Sequence, residues 1–196
     1  MESKEALFRL LLDRGLGAPL PAPESFPLRS PSPGGLARRM SQAIAVRFAL
    51  PRLDEALARR RVVDAAAELT GVIDELFERT HETRESADVL ERSARDVPEL
   101  AAVFYRQVRR GLLGRLEQLM VRRMASGHYR SSDPGILARL VLEAVTTFAR
   151  HIHGDVEPPG FDVAAARVTV VGTLVAGIVV RGPGARPRRG GGGSSG

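Results

Sequence analysis

DPGILARLVLEAVTTFARHI, residues 133–152, is the stretch of sequence that decides the fold. Its apolar side chains form two adjacent rows, Ile136, Leu140, Ala144, Phe148 and Ile152, and Leu137, Val141, Val145 and Ala149. In a helix of about 3.6 residues per turn, these rows together cover nearly half of the circumference. Asp133 and Pro134 are residue types that favour the N-cap and the first helical position. The stretch therefore predicts a helix that neighbouring elements cover on two sides.

The composition indicates a folded protein in a reducing compartment. The chain has 196 residues, 43% of them apolar, which is enough to bury a substantial core. It has no cysteine, which excludes disulfide frameworks, thiolate zinc sites and cysteine nucleophiles. Neither a secretory signal nor a membrane-spanning run is evident, so we expect a cytoplasmic protein.

The net charge of +6 does not indicate a nucleic-acid-binding surface, because the excess lies at the C-terminus. Residues 181–196 contain four arginines and no acidic residue, and without them the net charge of residues 1–180 is only +2. A nearly balanced chain that ends in an Arg/Gly-rich segment is typical of a folded unit with a disordered tail.

Upstream, the sequence predicts three shorter helices and one long loop. Residues 3–16, 36–50 and 52–60 have helical apolar spacing, and Pro51 is placed to end one helix and open the next. Residues 17–35 contain six of the thirteen prolines, which excludes a helix and predicts a turn-rich connection.

A long helix is predicted for residues 61–91, and part of its inward face is polar. Its apolar seam is interrupted after Phe77 by Thr80, His81, Thr83 and Arg84. Two interpretations remain open. Either these polar groups bond to neighbouring helices, as buried polar groups generally do, or they line a cavity.

Two further helices complete the predicted bundle. Residues 96–125 open with D-x-x-E, the spacing of a capping box, and Gly127 follows them as a suitable left-handed C′ residue. Residues 161–180 end in thirteen uncharged residues, too few to span a membrane. Their β-branched side chains make a buried strand the alternative. We expect a helix, in which Gly172 and Ala176 would let another helix approach closely.

Two patterns have metal-ligand residues but lack a complete site. Glu78 and His81 have the E-x-x-H spacing of di-iron helical bundles, without the second copy that such a site needs. His151 and His153 are two residues apart and therefore point to different sides of a helix. No nucleotide-binding, hydrolase or metalloprotease motif is present. We expect no metal, no cofactor and no enzymatic activity.

Several motifs resemble those of TetR-family transcriptional regulators. SKEALF, residues 3–8, is similar to the segment that opens the family's fourth helix, directly after its helix-turn-helix. DVPEL, residues 96–100, resembles the family's DPEL helix. GHYR, residues 127–130, together with the Asp-Pro at 133–134, resembles its next connection. The resemblance covers residues 3–180 loosely, and the opening hexapeptide is its most specific part.

The chain departs from the family because the three-helix DNA-binding head would precede Met1. Lys4 is the one candidate DNA contact that remains, and it would touch a phosphate, which positions a protein without reading sequence. We expect a truncated or wrongly started reading frame, with operator DNA bound only through the missing head; the alternative is a genuine headless regulator. The Pro-rich residues 17–35 also depart from the family's longer fourth helix.

The resemblance implies an all-α bundle and a domain order. Residues 1–16 would be the remnant of the linking helix, 17–35 a loop, 36–180 the effector-binding and dimerisation domain, and 181–196 the tail. It further implies a homodimer, commonly a repressor, in which each protomer contributes two helices to a four-helix interface.

The effector implied by the resemblance is small and lipophilic or aromatic. The candidate pocket comprises Phe77, Thr80, His81, Thr83, Arg84, Tyr105 and Arg109. The candidate dimer interface comprises Leu137, Leu140, Val141, Ala144, Val145, Phe148, Val171, Gly172, Val175, Ala176 and Val179. The alternative is an all-helical structural or interaction dimer that binds no ligand.

Overall fold

A computed structural model of the chain describes residues 48–95, 98–154 and 160–180, together with six isolated upstream positions. These residues form an all-α fold, which confirms the predicted fold class. No helix among them is long and apolar enough to cross a membrane. The predictions for residues 3–16, 17–35 and 181–196, most of the helix predicted for residues 36–50, and the candidate phosphate contact Lys4 lie outside the described ranges.

The helices follow one another with short connections. In chain order they are α1 (Pro51–Ala58), α2 (Ala65–Glu82), α3 (Arg84–Ala94), α4 (Pro98–Ala101), a π-helix (Ala102–Arg110), α5 (Gly111–Ala125), α6 (Pro134–Ala149), a 3-10 turn (His151–Gly154) and α7 (Val163–Ile178). Pro51 opens α1, as predicted, at its first helical position.

Helix α6 is the centre of the bundle, as the opening stretch of sequence predicts. It packs against α2, α5 and α7. Its start is fixed by Asp133, whose carboxylate accepts a hydrogen bond from the Ile136 N–H at 2.8 Å. It ends at Ala149 rather than at residue 152, because Arg150 leaves the helical conformation with φ −130°. There the Arg150 side chain binds Asp88 and Glu91 of α3.

The prediction of one helix over residues 61–91 is wrong, since α2 ends at Glu82 and α3 starts at Arg84. Thr83 separates them with φ −97° and ψ 5°. Its hydroxyl donates to the Arg79 carbonyl at 2.7 Å, the same oxygen that accepts its backbone N–H. Such a side-chain bond within a helix competes with the regular backbone ladder and bends the helix.

The prediction of one regular helix over residues 96–125 is also wrong. A nine-residue π-helix, Ala102–Arg110, separates α4 from α5. A π-helix bonds each N–H to the carbonyl five residues back, which widens the turn and shifts the faces of the helix that follows. The proposed capping residue Asp96 lies outside the described ranges.

The C-terminal helix is a helix and not a strand, as we expected. The carboxylate of Asp162 caps α7 by accepting from the N–H groups of Ala164 and Ala165. Beyond α7, the Val180 N–H donates to the His128 carbonyl at 2.9 Å, which fastens the chain to the turn after α5. Gly127 in that turn has φ 74°, the left-handed conformation predicted for it.

The core lies where α2, α5, α6 and α7 meet. Helix α7 contributes side chains such as Ile178 that are buried but not completely so. The fully buried members are mostly aliphatic and come from α2, α5 and α6, with Leu53 of α1 and one aromatic ring: Leu53, Leu69, Val72, Ile73, Phe77, Leu116, Leu119, Met120, Val141 and Val145. Ion pairs between helices lie around this core. Their arginines are Arg115, Arg123, Arg150 and Arg167.

Candidate functional site

A cleft of about 320 Å³ lies between α1, α2, the π-helix and α5, which is within the range of small-ligand pockets. We call it the Thr80 cleft. Its walls are mainly apolar, from Phe48, Ala49, Leu50, Leu76, Val108, Gly111 and Leu112. Four polar residues complete the lining, Asp54, Arg79, Thr80 and Arg115. The cleft therefore offers one apolar volume with polar groups at a few positions.

The polar residues of the Thr80 cleft carry a net positive charge. Arg115 forms an ion pair with Asp54, which joins α5 to α1. Among the described residues, the Arg79 side chain binds only Glu82, at 3.1 Å, on the outer side of the same helix. The Thr80 hydroxyl makes no hydrogen bond to any residue in the described ranges. Arg79 and Thr80 therefore have donor capacity available for a ligand.

Of the seven candidate effector-pocket residues, Thr80 is the one that lines this cleft. Phe77 lies in the core, with no exposed side. His81, Thr83 and Arg84 instead make contacts within the protein. His81 Nδ1 lies 3.2 Å from the Ala149 carbonyl, and Arg84 donates to the His81 carbonyl at 2.9 Å. Of this polar stretch, His81, Thr83 and Arg84 therefore form hydrogen bonds at the junction of α2, α3 and α6, whereas Thr80 lines the cleft.

Tyr105 and Arg109 on the π-helix do not line the Thr80 cleft. Tyr105 is exposed and stacks edge-to-face on Phe104, with ring centroids 5.0 Å apart. Arg109 forms an ion pair with Glu143 of α6. The π-helix is therefore connected to α6 through Arg109, while its Val108 forms part of the cleft wall.

Two histidine rings are in contact at the junction between α2 and the end of α6. The ring centroids of His81 and His153 are 5.0 Å apart, and the rings are tilted by 50°. Burial lowers the pKa of His153 from its ordinary value, and the nearby His81 and Arg84 lower it further. Both effects favour the neutral imidazole of His153.

The metal-type patterns do not form a site in the described ranges. No group of three or more metal-ligating side chains occurs there. The E-x-x-H pair is separated, since Glu78 lies 3.6 Å from Arg167 of α7 while His81 turns towards Ala149. Asp155 and Glu157, next to the two histidines of the 3-10 turn, lie outside the described ranges.

The outward side of α7 is exposed and uncharged. It consists of small or β-branched residues, Ala165, Val168, Thr169, Gly172, Thr173 and Ala176. Val168 is 73% exposed, and on the neighbouring α6 Ile136 is 71% exposed. Of nine large apolar side chains that are exposed in the described ranges, five lie on or beside these two helices. We call this surface the α6–α7 face.

The structure divides the candidate dimer residues between the core and the α6–α7 face. Val141, Val145, Val171 and Val179 are buried inside the protomer, so they cannot reach a partner directly. The half-buried members are Leu137, Ala144, Phe148 and Val175. Exposed on the face are Leu140, Gly172 and Ala176. Of the two apolar rows on α6, the one containing Leu140 is therefore the row nearer to the surface.

A groove of about 540 Å³ runs between α2 and α7, and Val168, Gly172 and Ala176 of the α6–α7 face form part of its lining. Its floor is apolar, and at one end Arg167 of α7 holds Asp74 of α2 with two hydrogen bonds of 2.6 Å and 2.7 Å. This bond is the main reason why the pKa of Asp74 lies below its ordinary value. Arg167 is the only charged residue of α7, and its charge is neutralised within the protomer.

Sequence reasoning missed Asp54, Arg79 and Arg115 as lining residues of the cleft. Arg115 lies off the apolar stripe of its helix, a position that usually faces solvent. Its partner Asp54 is far away in the sequence, so the pattern offers no signal for their contact. For Arg79 the sequence offers one indication of a place in the cleft, because Arg79 directly precedes Thr80 at the start of the polar stretch.

Comparison with models of known protein families gave no match for this chain. A search among curated proteins likewise found no similar sequence.

Proposed function

We propose that this chain is the effector-binding and dimerisation part of a TetR-type transcriptional regulator, and that it is not an enzyme. The observation that carries the proposal is the exposed α6–α7 face, whose α7 part is uncharged. In a regulator of this type a separate head reads DNA, so the described helices would supply the dimer contact and the ligand site.

The α6–α7 face has the properties of a surface that a second helix pair covers. A helix that is apolar on all sides is normally buried on all sides, yet one side of α7 is open in the protomer. Contiguous exposed apolar surface generally marks an interaction site. Gly172 and Ala176 add almost no side-chain bulk, so a partner helix would pack closely against α7 there.

A two-fold axis through this face would bring together α6 and α7 of both protomers in a four-helix interface. Leu140 and Ile136 of α6 would then be covered together with Val168 of α7. Arg139 and Glu143 lie on the same side of α6 as Ile136 and Leu140, so their ion pair would be part of the interface and would have to stay paired there.

The π-helix connects the Thr80 cleft to α6 of the dimer face, which supports a regulatory role. The π-helix contributes Val108 to the cleft and Arg109 to the ion pair with Glu143 of α6. A ligand that prefers one position of the π-helix would therefore bias the position of α6. The size of that bias is limited by the difference in ligand affinity between the two states.

Sedimentation of the full chain at micromolar concentration tests the dimer. We expect a dimer for the wild type and a dissociation constant raised at least about tenfold by Val168→Arg, because the interface would bury an unpaired charge. Val63→Arg is the matched control, since Val63 is 101% exposed in the turn between α1 and α2. A monomeric wild type, or equal dissociation of the two variants, would overturn the proposal.

A further inference from the structure

The Thr80 cleft also indicates which class of molecule would bind. We propose that it takes an anionic amphiphile, an apolar chain or ring system that carries one carboxylate, and that Arg79 binds the carboxylate. This inference rests on the proposed effector-binding function and adds the chemical class of the effector to it.

The apolar part of the ligand follows from the walls of the cleft. Leu76 of α2, Val108 of the π-helix and Leu112 of α5 present aliphatic side chains from three different elements. The volume of about 320 Å³ corresponds to roughly ten water molecules at liquid density, so the cleft admits a chain or ring system of moderate size. Removing such a ligand from water would supply most of the binding free energy.

The charge of the ligand follows from the balance of donors and acceptors in the cleft. Arg79 and Arg115 are both cationic donors, and Asp54 is the only anionic residue among the described residues of the lining. Asp54 is already paired with Arg115, so an ammonium ligand would meet two guanidinium groups and a carboxylate that is in use. An anionic ligand instead finds complementary charge, because Arg79 has no acidic partner in the cleft.

Arg79 is the guanidinium that is available to the ligand. Its bond to Glu82 joins two side chains that are 39% and 52% exposed and three residues apart on one helix. Surface pairs of this kind contribute little, so exchange of Glu82 for a ligand carboxylate costs little. A guanidinium binds a carboxylate through two parallel hydrogen bonds, which an alcohol or an amide does not reproduce with the same strength.

Thr80 supplies a second donor beside Arg79. Thr80 is half-buried and lines the cleft, and its hydroxyl has no hydrogen-bond partner in the described part of the chain. This hydroxyl is not among the buried polar atoms that lack a partner, so it is open to water, and a ligand oxygen would take the place of that water. Arg79 and Thr80 are adjacent in sequence and both line the cleft, so the carboxylate would bind at the α2 side.

The test compares three probes of the same chain length with the full-length protein: sodium decanoate, decanamide and decylamine, each below its aggregation concentration. Calorimetry gives the dissociation constants, and melting temperatures with and without probe give an independent measure of binding. We expect decanoate to bind at least about tenfold more tightly than decanamide, as a charge-assisted pair requires, and decylamine to bind most weakly.

Three variants locate the carboxylate. Arg79→Gln should raise the dissociation constant of decanoate at least about tenfold and leave that of decanamide unchanged. Arg79→Lys should retain part of the preference, because it keeps the charge but loses the bidentate geometry. The control is Arg110→Gln, at an exposed arginine of the π-helix that does not line the cleft. The melting temperature without probe checks that each variant is folded.

The outcomes separate this inference from the proposed function. If decanoate and decanamide bind equally well, or if Arg79→Gln and Arg110→Gln have the same effect on decanoate, the anionic class is wrong while a ligand site remains. If none of the three probes binds, both the ligand class and effector binding at this cleft are overturned. A preference for decanoate that is lost in Arg79→Gln alone supports both.

Discussion

Arg123 of α5 holds both carboxylate oxygens of Glu68 of α2, with hydrogen bonds of 2.6 Å and 3.1 Å. The same guanidinium donates to the Ala56 carbonyl of α1 at 2.6 Å. The two side chains are 4% and 3% exposed, so this is the most deeply buried ion pair among the described residues. One guanidinium therefore joins three helices at the end of the bundle where α5 terminates.

Replacing Glu68 by alanine should lower the free energy of unfolding by about 3–5 kcal/mol, because it leaves the buried Arg123 charge without a carboxylate partner. Urea denaturation at neutral pH measures the change. The control is Arg139→Ala, which removes an exposed pair with Glu143 and should cost less than about 1 kcal/mol. Similar losses in the two variants would contradict the structural role assigned to the buried pair.

Tyr129 lies close to this ion pair, and replacing it should not lower the free energy of unfolding. Its side chain is buried, and its hydroxyl has no hydrogen-bond partner in the described ranges. Burial raises the pKa of Tyr129, and Glu68 raises it further, so the phenol remains neutral. A buried polar group without a partner costs about 1–3 kcal/mol.

Tyr129→Phe should therefore leave the stability unchanged or increase it by about 1 kcal/mol, since the ring is kept and the hydroxyl is lost. Thermal and urea unfolding of the variant measure this effect. Tyr105→Phe, at an exposed ring of the π-helix, should have no effect and serves as control. A loss of stability in Tyr129→Phe alone would mean that the hydroxyl has a hydrogen-bond partner.

The pair between Asp74 and Arg167 predicts a loss of stability in acid. The hydrogen bonds from Arg167 lower the pKa of Asp74 in the folded protein. Since the pKa is lower in the folded than in the unfolded state, the stabilising contribution is complete above about pH 4. It is lost as the pH falls through the folded-state pKa.

Asp74→Asn should reduce stability at neutral pH and flatten the acid part of the curve of unfolding free energy against pH. Both side chains are about one-third exposed, so solvent screening keeps the effect smaller than that of Glu68→Ala. Glu85→Gln, at a carboxylate that is 86% exposed, is the control. An unchanged acid slope in Asp74→Asn would exclude this pair as its source.

The central part of the fold could be predicted from the sequence because its signals are local. Asp133 caps α6 as its position before Pro134 indicates, and the two apolar rows of α6 identify a helix with neighbours on several sides. The identity of α7 as a helix also followed from its length and context. Such signals require only that neighbouring residues have the right spacing.

The two errors in the helices have causes that apolar spacing does not reveal. The break at Thr83 depends on a hydroxyl that bonds to the Arg79 carbonyl, while the apolar seam continues across it. The π-helix changes the hydrogen-bond register by one residue but keeps Phe104 buried and Val108 half-buried, so the stripe looks regular. Both features arise from the competition between alternative hydrogen bonds.

The candidate site could be predicted only in part for a similar reason. Thr80 was visible as a polar interruption in an apolar seam, and it does line the cleft. The contact of Arg115 with Asp54 joins residues from α5 and α1, and their sequence positions contain no sign of it. Long-range pairs of charged side chains depend on how the helices pack, which the sequence of one helix does not determine.

The histidine pair predicts a second pH dependence, at higher pH than that of Asp74. Burial, His81 and Arg84 lower the pKa of His153 in the folded protein. The unfolded chain therefore takes up this proton first as the pH falls below about 6.5, and stability declines until the folded-state pKa has been passed.

His153→Gln should remove this decline, which unfolding free energies measured between pH 8 and pH 5 would detect. His151→Gln is the control and should retain the decline, because both histidines of the turn are exposed but it is the His153 ring that contacts His81. If His153→Gln and the wild type have parallel curves over this range, the His81–His153 contact does not control the protonation of the junction between α2 and α6.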